Sequence, residues 1–192
     1  MMKTAIQSLK LLLIMTLFLG GFYPLMIYGM GTLAFPFQSK GLLLEQNGNI
    51  IGSQNIGQNF STEGYFIGRP SGAGENGNDA TASSGTNLAP TNKLLLDKID
   101  AIKEMLKARF GDGDIPSDLV MSSGSGLDPH ISKSAALYQV RTIAKERKVN
   151  EAEVLDIVNA KIEAKLLGVL GEERVNVLLL NSALNQKFGV IP

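Results

Sequence analysis

The only histidine of the chain, His130, ends a segment rich in small residues, Ser122–His130. With Ser125 and an aspartate it supplies the residue types of a hydrolase triad, in which a base activates a serine. The serine lacks the strand–turn–helix context that exposes such a nucleophile. Small residues before a helix can also present N–H groups to an anion, but the Asp128 carboxylate would repel a phosphate. We therefore interpret the segment as a turn and a cap, with a helix beginning at Asp128 and Pro129.

A second motif is the glycine pattern G-x-G-x-x-G at residues 72–77. A dinucleotide site needs a strand before this pattern and a helix after it. Here Pro70 and Ser71 precede the pattern and Asn78 follows it, which favours an ordinary loop. Composition excludes further chemistries. The chain has no cysteine for thiolate metal sites, and its 18 basic and 18 acidic residues argue against nucleic-acid binding.

The N-terminal part of the chain predicts a membrane anchor. No charged residue lies between Lys10 and Lys40, and this interval is longer than the about 20 residues that a helix needs to cross a bilayer. We predict a transmembrane helix over residues 11–31, bent at Pro24, which removes a backbone hydrogen bond. The alternative is a cleavable signal peptide, but the apolar stretch is too long and no A-x-A site follows it.

The lysines indicate the orientation of this anchor. Lys3 and Lys10 precede the apolar stretch, and the positive-inside rule places such residues in the cytoplasm. We therefore predict a short cytoplasmic N-terminus over residues 1–10. Residues 32–192 then form one extracytoplasmic domain.

The first part of that domain predicts a hairpin and a long loop. The apolar runs Leu42–Leu44 and Ile50–Ile51 flank Gln46–Asn49, whose Asn-Gly pair is typical of a hairpin turn. Residues 68–90 contain almost no large apolar residue. We expect this loop to be mobile in the isolated domain.

Three helices are predicted beyond the loop. The first is capped by Thr91 or Asn92 and stops at Gly111, and its apolar stripe is Leu95, Ile99, Ile102 and Leu106. The second, from Asp128, continues through Leu137, Val140 and Ala144. The third begins at Asn150 with Glu153 in a capping box, and its stripe to Gly168 is Leu155, Val158, Ile162 and Leu166.

The last predicted element is Arg174–Leu180, where Val175, Val177 and Leu179 alternate with other residues. We interpret it as a strand, with a buried helix as the alternative. The predicted fold class is therefore α+β: one N-terminal transmembrane helix followed by a single small mixed α/β domain.

Several of these stretches together are similar to one known family. The chain resembles the C subunit (KdpC) of the bacterial Kdp potassium-transporting P-type ATPase. The matching stretches cover nearly the whole chain in order. They are YPL (23–25), GSQNIGQNF, YFIGRPS, SGTNLAPTN, SGSGLDPHIS, AALYQVRTIA and RVNVLLLN.

The resemblance implies a non-catalytic accessory subunit of a high-affinity, ATP-driven potassium uptake pump in the bacterial inner membrane. Its implied partners are a channel-like KdpA-type subunit, an ATP-hydrolysing KdpB-type subunit and a small KdpF-type peptide. It would assist assembly and stability of the complex and the ATP affinity of the catalytic subunit, and bind no cofactor stably itself. The alternatives are an anchored periplasmic module for another partner and an anchored hydrolase.

The resemblance also implies site residues. Gln139 is implied as a nucleotide contact, with ATP held by the catalytic subunit. An outward domain cannot touch cytosolic ATP without a second membrane crossing, so a structural role is favoured over this contact. The candidate partner contacts are Tyr65, Phe66, Arg69, Pro70, Asn87, Asp128 and His130.

Overall fold

The structure is a computed structural model that describes residues 2–46 and 48–191. The chain divides into two compact units between Ile50 and Ile51. The first unit contains the predicted anchor, and the second contains a mixed α/β domain. The α+β class predicted from the sequence is confirmed.

The anchor is one continuous helical stretch. It consists of α1 (Met2–Leu17), a π-helical turn (Phe18–Phe22) and α2 (Tyr23–Ala34). This stretch is long and apolar enough to cross a membrane, and its apolar side chains are exposed within the chain. The helix extends beyond both ends of the predicted span 11–31.

Pro24 lies in the first turn of α2, directly after the π-helical turn. There the Tyr23 N–H donates to the Phe18 carbonyl, five residues earlier. Proline has no N–H for the bond of an ordinary α-turn, and an inserted π-turn is one way in which a helix accommodates such an interruption. The hydrogen-bond pattern therefore changes where the sequence predicts a bend.

After the anchor come a short helix, α3 (Pro36–Ser39), and a two-stranded sheet of β1 (Leu43–Gln46) and β2 (Asn49–Ser53). The predicted hairpin is confirmed. Asn47 of its Asn-Gly turn lies outside the described residues.

The second unit is built on a small antiparallel sheet. Its strands are β3 (His130–Ser132), β4 (Ile162–Glu163) and β5 (Arg174–Asn176), with β5 in the centre. Ile131 and Ile162 both pair with Val175, and the side chains of Ile131 and Val175 are buried. The sheet thus contributes one apolar row to the core and leaves its polar residues at the opposite face.

Four α-helices complete this unit within its described residues: α4 (Lys93–Phe110), α5 (Lys133–Arg147), α6 (Glu151–Ala160) and α7 (Val177–Phe188). Each follows a polar residue whose side chain accepts a first-turn backbone N–H, which satisfies a donor left free by the helix. These N-cap residues are Asn92, Ser132, Asn150 and Asn176. The largest fully buried apolar side chains are Phe66, Leu106, Leu119, Ile131, Ile143, Leu180 and Leu184.

The predicted helix start at Asp128 is wrong. Asp128 accepts the backbone N–H of His130, two residues later, and so closes a local turn before β3. The Pro129 carbonyl accepts the Val177 N–H from α7, a tertiary contact that sequence patterns do not reveal. The helix begins only at Lys133, after its Ser132 cap.

The predicted third helix is correct at its start and wrong at its end. Asn150 caps α6, but the helix ends at Ala160, and Ile162 lies in β4. Its buried face is Val154, Ile157 and Val158 rather than a stripe extending to Leu166.

The alternating segment Arg174–Leu180 is neither all strand nor all helix. It is strand to Asn176 and helix from Val177. The change from strand to helix occurs at Asn176, because its side chain accepts the Leu179 N–H and so caps α7.

Residues 68–90 form a loop, as predicted, but the loop is anchored. Ala73 is fully buried, and the Ser71 hydroxyl donates to the Gly126 carbonyl at 2.6 Å. The Ser71 hydroxyl oxygen also accepts the backbone N–H groups of Ala73 and Asn78. The glycine pattern at 72–77 therefore forms a turn around Ser71, and these contacts favour order over the predicted mobility.

Candidate functional site

The main cleft of the second unit lies beside the three-stranded sheet. Its volume is about 660 Å³, and its walls carry both charged groups and the apolar side chains of Leu166 and Leu170. Among the acidic and basic residues that line it are Arg69, Asp128, His130 and Arg174.

A row of paired acidic and basic side chains runs along this cleft. Arg69 Nη1 lies 3.4 Å from Asp128 Oδ2, and His130 Nδ1 lies 3.2 Å from Asp128 Oδ1. On its other side, His130 Nε2 lies 3.8 Å from Glu163 Oε1. The second oxygen of Glu163 accepts a 2.9 Å hydrogen bond from Arg174 Nε. Both imidazole nitrogens thus face carboxylates, which suits a positioned structural group.

The sheet positions three residues of this row of side chains. His130 is the first residue of β3, and Glu163 pairs with Arg174 across β4 and β5. The hydrogen bond with the His130 side chain lowers the pKa of the Asp128 carboxyl below its usual value, and Arg69 contributes in the same direction against the opposing effect of burial. Asp128 therefore stays ionised and holds both of its neighbours.

The segment before Asp128 presents carbonyl oxygens to its neighbours. Arg69 donates to the carbonyls of Met121 and Ser122, and the Ser83 hydroxyl donates to the Ser125 carbonyl at 3.0 Å. An anion cradle requires N–H groups in these directions. The arrangement is therefore that of a structural turn, as interpreted from the sequence.

The hydroxyl of Ser125 is engaged within its own turn. It accepts the Leu127 N–H at 3.1 Å and lies 3.5 Å from the Ser123 hydroxyl. His130 faces Asp128 and Glu163 instead. A triad requires the serine hydroxyl at the imidazole, so the geometry does not support the hydrolase hypothesis.

Gly126 joins this turn to the loop 68–90. Its φ is +68°, and a side chain there would meet the Ser84 carbonyl and the Ala73 backbone nitrogen. Only glycine fits such a left-handed position at so close a backbone approach. The SGSGLDPHIS stretch is thus specified by packing against the loop as well as by its polar residues.

Two buried side-chain amides hold the segment that precedes Arg69. Gln139 on α5 accepts the Ile67 N–H at 2.8 Å and donates to the Ile67 carbonyl at 3.2 Å. Asn181 on α7 does the same for Phe66, at 2.9 Å in both directions. Each amide pairs with both the N–H and the carbonyl of one residue, as the backbone of a neighbouring strand would.

The chain is similar over most of its length to one family of known proteins. The family model of KdpC, the c chain of the K⁺-transporting ATPase, matches residues 5–186.

The chain belongs to the KdpC family.

Curated relatives named potassium-transporting ATPase KdpC subunit cover the chain almost completely. That of Janthinobacterium sp. (strain Marseille) is 45% identical over 97% of this chain and 100% of its own length. That of Myxococcus xanthus is 43% identical over 100% of this chain and 92% of its own, and that of Methylococcus capsulatus is 45% identical over 93% and 95%. The predicted resemblance is confirmed.

KdpC membership makes the chain a subunit of a potassium-transporting ATPase, not an enzyme by itself. The predicted accessory function is confirmed at this level. The apolar N-terminal helix fits membrane anchoring of such a subunit. The hypotheses of an anchored hydrolase and of a binding module for another partner are therefore set aside.

The residues implied by the KdpC resemblance lie in different environments. Arg69, Asp128 and His130 meet in the charged cleft, whereas Phe66 is fully buried and Tyr65 nearly so. The Tyr65 ring packs against the Arg147 guanidinium, and its hydroxyl donates to Asn185. The side chains of these two aromatic residues belong to the core and offer little surface to a partner.

The other implied residues do not reach the cleft. Pro70 is half-buried and Asn87 is exposed with a φ of +52°. Gln139 is fully buried, and its amide is occupied by Ile67 and by the Ala135 carbonyl. No face of this side chain is accessible to a nucleotide in the described structure.

Sequence reasoning missed three residues of the site: Glu163, Arg174 and Asn181. Glu163 and Arg174 become neighbours only through the β4–β5 register. Asn181 lies on α7 and is the last residue of the stretch RVNVLLLN. The prediction for that stretch depends on its alternating apolar residues and does not consider the asparagine. A buried position on an apolar helix face is the signal that could have identified it.

Proposed function

We propose that this chain acts as a non-catalytic accessory subunit that binds and stabilises the other subunits of the potassium pump. The observation that carries the proposal is the position of its one histidine, whose two ring nitrogens face the carboxylates of Asp128 and Glu163. Such a group orders a surface. The Ser125 hydroxyl is instead bonded within its own turn.

The anchor supports a role inside the membrane. Its apolar side chains are exposed in the isolated chain, so they face lipid or other helices. Gly20, Gly21, Gly29 and Gly31 have open space where a side chain would be, and small residues permit close helix packing in membranes. The proposed neighbours are the channel-like KdpA-type subunit, the KdpB-type subunit and the KdpF-type peptide.

The lysine distribution supports an orientation. Lys3 and Lys10 precede the apolar stretch and favour a cytoplasmic N-terminus in the inner membrane. The second unit then lies outside, and its charged cleft provides the polar contacts with a partner. ATP is bound by the catalytic subunit, and its affinity is affected through assembly rather than through Gln139.

Affinity purification tests this function. The full chain, tagged at its C-terminus and expressed from its own locus, is extracted in mild detergent and its co-purifying chains are identified by mass spectrometry. We expect stoichiometric recovery of the KdpA-, KdpB- and KdpF-type subunits together with potassium-stimulated ATPase activity. Recovery of the chain alone, or with unrelated proteins in stoichiometric amount, would contradict the proposal.

A further inference from the structure

The chain reverses its direction directly after the anchor, in a turn at the end of α3. The Leu42 N–H donates to the Phe37 carbonyl at 3.3 Å. The Gly41 N–H donates to the Gln38 carbonyl at 3.0 Å, and Gly41 has a φ of +82°. These bonds form a Schellman motif, whose left-handed position glycine adopts without strain. The turn brings β1 back beside α3.

A groove lies between α3 and β1, and we call it the juxtamembrane groove. Its volume is about 460 Å³. It is lined by Pro36, Phe37, Lys40, Leu43, Leu44 and Glu45. Four of these residues are apolar, and the other two supply one positive and one negative charge. The groove therefore combines an apolar wall with two opposite charges.

The two charges of the juxtamembrane groove are open to a ligand. The side chains of Lys40 and Glu45 are exposed. Among the described residues, the ion pairs of the chain do not include either of them. A lysine and a glutamate that are not paired with each other can bind the two charged groups of one zwitterionic molecule.

The groove lies at the end of the membrane-spanning stretch. Because α2 ends at Ala34, residues 11–34 span about 36 Å at 1.5 Å per residue, compared with about 30 Å for the hydrocarbon core. The Phe37 side chain follows within one helical turn and is 49% exposed. Lys40 ends the charge-free interval, and a lysine stem reaches from apolar surface to the lipid head groups. The groove is thus at the boundary between hydrocarbon and head groups.

We propose that the juxtamembrane groove binds a phospholipid with a primary amine, of the phosphatidylethanolamine type. Its apolar wall contacts the beginning of an acyl chain. The Lys40 ammonium binds the phosphate, and the Glu45 carboxylate accepts hydrogen bonds from the lipid ammonium. The occupant is a bilayer lipid because the groove continues the exposed apolar surface of the anchor and because its two charges match those of this head group.

The chemistry of the two charges predicts a preference among lipids. Phosphatidylglycerol offers a phosphate to Lys40, but it has no cation for Glu45. Phosphatidylcholine has the same net charge as phosphatidylethanolamine, but its trimethylated nitrogen has no N–H to donate to Glu45. The proposal depends on the membrane anchor and not on the identity of the pump subunits, so it is independent of the proposed function.

The lack of cysteine in the chain permits a crosslinking test at one position. Leu44→Cys, which leaves both charges of the groove in place, is modified in the full chain with a short photoactivatable maleimide. The chain, with any subunits that stay bound, is placed in nanodiscs of equal parts phosphatidylethanolamine, phosphatidylcholine and phosphatidylglycerol. After irradiation the adducts are identified by mass spectrometry. We expect phosphatidylethanolamine adducts to exceed each of the others roughly fivefold, the factor that one charged contact at a membrane surface contributes.

Charge substitutions in the same labelled chain provide the controls. Glu45→Gln should abolish the preference for phosphatidylethanolamine over phosphatidylcholine, and Lys40→Gln should lower the yield of all three lipid adducts. Lys93→Gln, which removes an exposed lysine at the start of α4, should change neither. All three residues are exposed, so circular dichroism should show an unchanged fold. Equal adducts with the three lipids, a preference that survives Glu45→Gln, or adducts mainly with a protein subunit would overturn the inference. If pump subunits co-purify in those cases, the proposed function still stands.

Discussion

The side-chain amide of Gln139 binds both backbone polar groups of Ile67, and its own side chain is completely buried. Asn181 binds Phe66 in the same way. The two amides fix the backbone that leads directly to Arg69 and hence to the charged cleft. A residue implied as a nucleotide contact therefore has a structural task within this chain.

Gln139→Glu should destabilise the domain by about 3 kcal/mol. A carboxylate would replace the donating nitrogen by an oxygen, so the carbonyls of Ile67 and Ala135 would lose their donor and would face a buried negative charge. Thermal unfolding of the full chain in detergent, followed by circular dichroism, measures the loss.

Asn181→Asp is the matched control for that change, because it alters the equivalent amide, which bonds the N–H and carbonyl of Phe66. Both variants should destabilise the chain similarly and leave the ATP KM of any complex that still assembles unchanged. A raised ATP KM for Gln139→Glu alone, at equal assembly, would show that Gln139 contacts nucleotide.

Gly126→Ala should destabilise the chain by about 2–4 kcal/mol. The added carbon would approach the Ser84 carbonyl, and the φ of +68° is unfavourable for alanine. Gly124→Ala, where the added carbon meets nothing within 4 Å, should be nearly neutral. Hydrogen exchange should show faster exchange across 68–90 in the first variant only. Equal effects of the two substitutions would contradict the packing of the loop on Gly126.

Asp128→Asn should lower stability at neutral pH by about 1 kcal/mol, a modest value because Asp128 is partly exposed. The pKa of Asp128 is lower in the folded chain than its ordinary value of 3.8. Its contribution is therefore complete above that value and is lost as the pH falls through the folded pKa. The difference between the free energies of unfolding of wild type and variant should shrink as the pH falls below 3.8. A difference that stays constant as the pH falls far below 3.8 would exclude the carboxylate as its source.

Local patterns predicted the helices whose signals lie within one segment. The stop at Gly111 and the apolar face through Leu106 were predicted correctly for α4 from spacing. Of the two predicted caps, Thr91 and Asn92, the structure uses Asn92. The start of α6 at Asn150 was predicted for the same reason. The anchor is equally local, because it depends only on the charge-free interval.

The errors arise where a distant contact decides the conformation. Pro129 binds Val177, and Asn176 reaches the Gln54 carbonyl while its oxygen caps α7. These bonds set the sheet registers, so β3 forms where a helix start was predicted. The same is true of the Glu163–Arg174 pair and of the amide contacts of Gln139 and Asn181. These contacts join residues that are far apart in the sequence, so residue spacing does not predict them.

The orientation of the anchor can be tested with single cysteines. Gln7→Cys should react with a membrane-impermeant maleimide only after permeabilisation of spheroplasts, whereas Glu104→Cys on α4 should react in intact spheroplasts. The reason is the position of Lys3 and Lys10 before the apolar stretch. Labelling of Gln7→Cys in intact spheroplasts, with protection of Glu104→Cys, would reverse the proposed topology.

The most direct test of the account replaces the one histidine. A strain lacking its own subunit is complemented with wild type, His130→Ala or Ser125→Ala at matched expression, and potassium-limited growth and complex assembly are measured. Since the His130 ring lies between the carboxylates of Asp128 and Glu163 and has a structural role, His130→Ala should change stability by at most about 2 kcal/mol. It should support growth in proportion to the complex that assembles. Ser125→Ala should behave in the same way. Loss of transport by His130→Ala with abundance and assembly intact would contradict the claim that this subunit acts by binding alone.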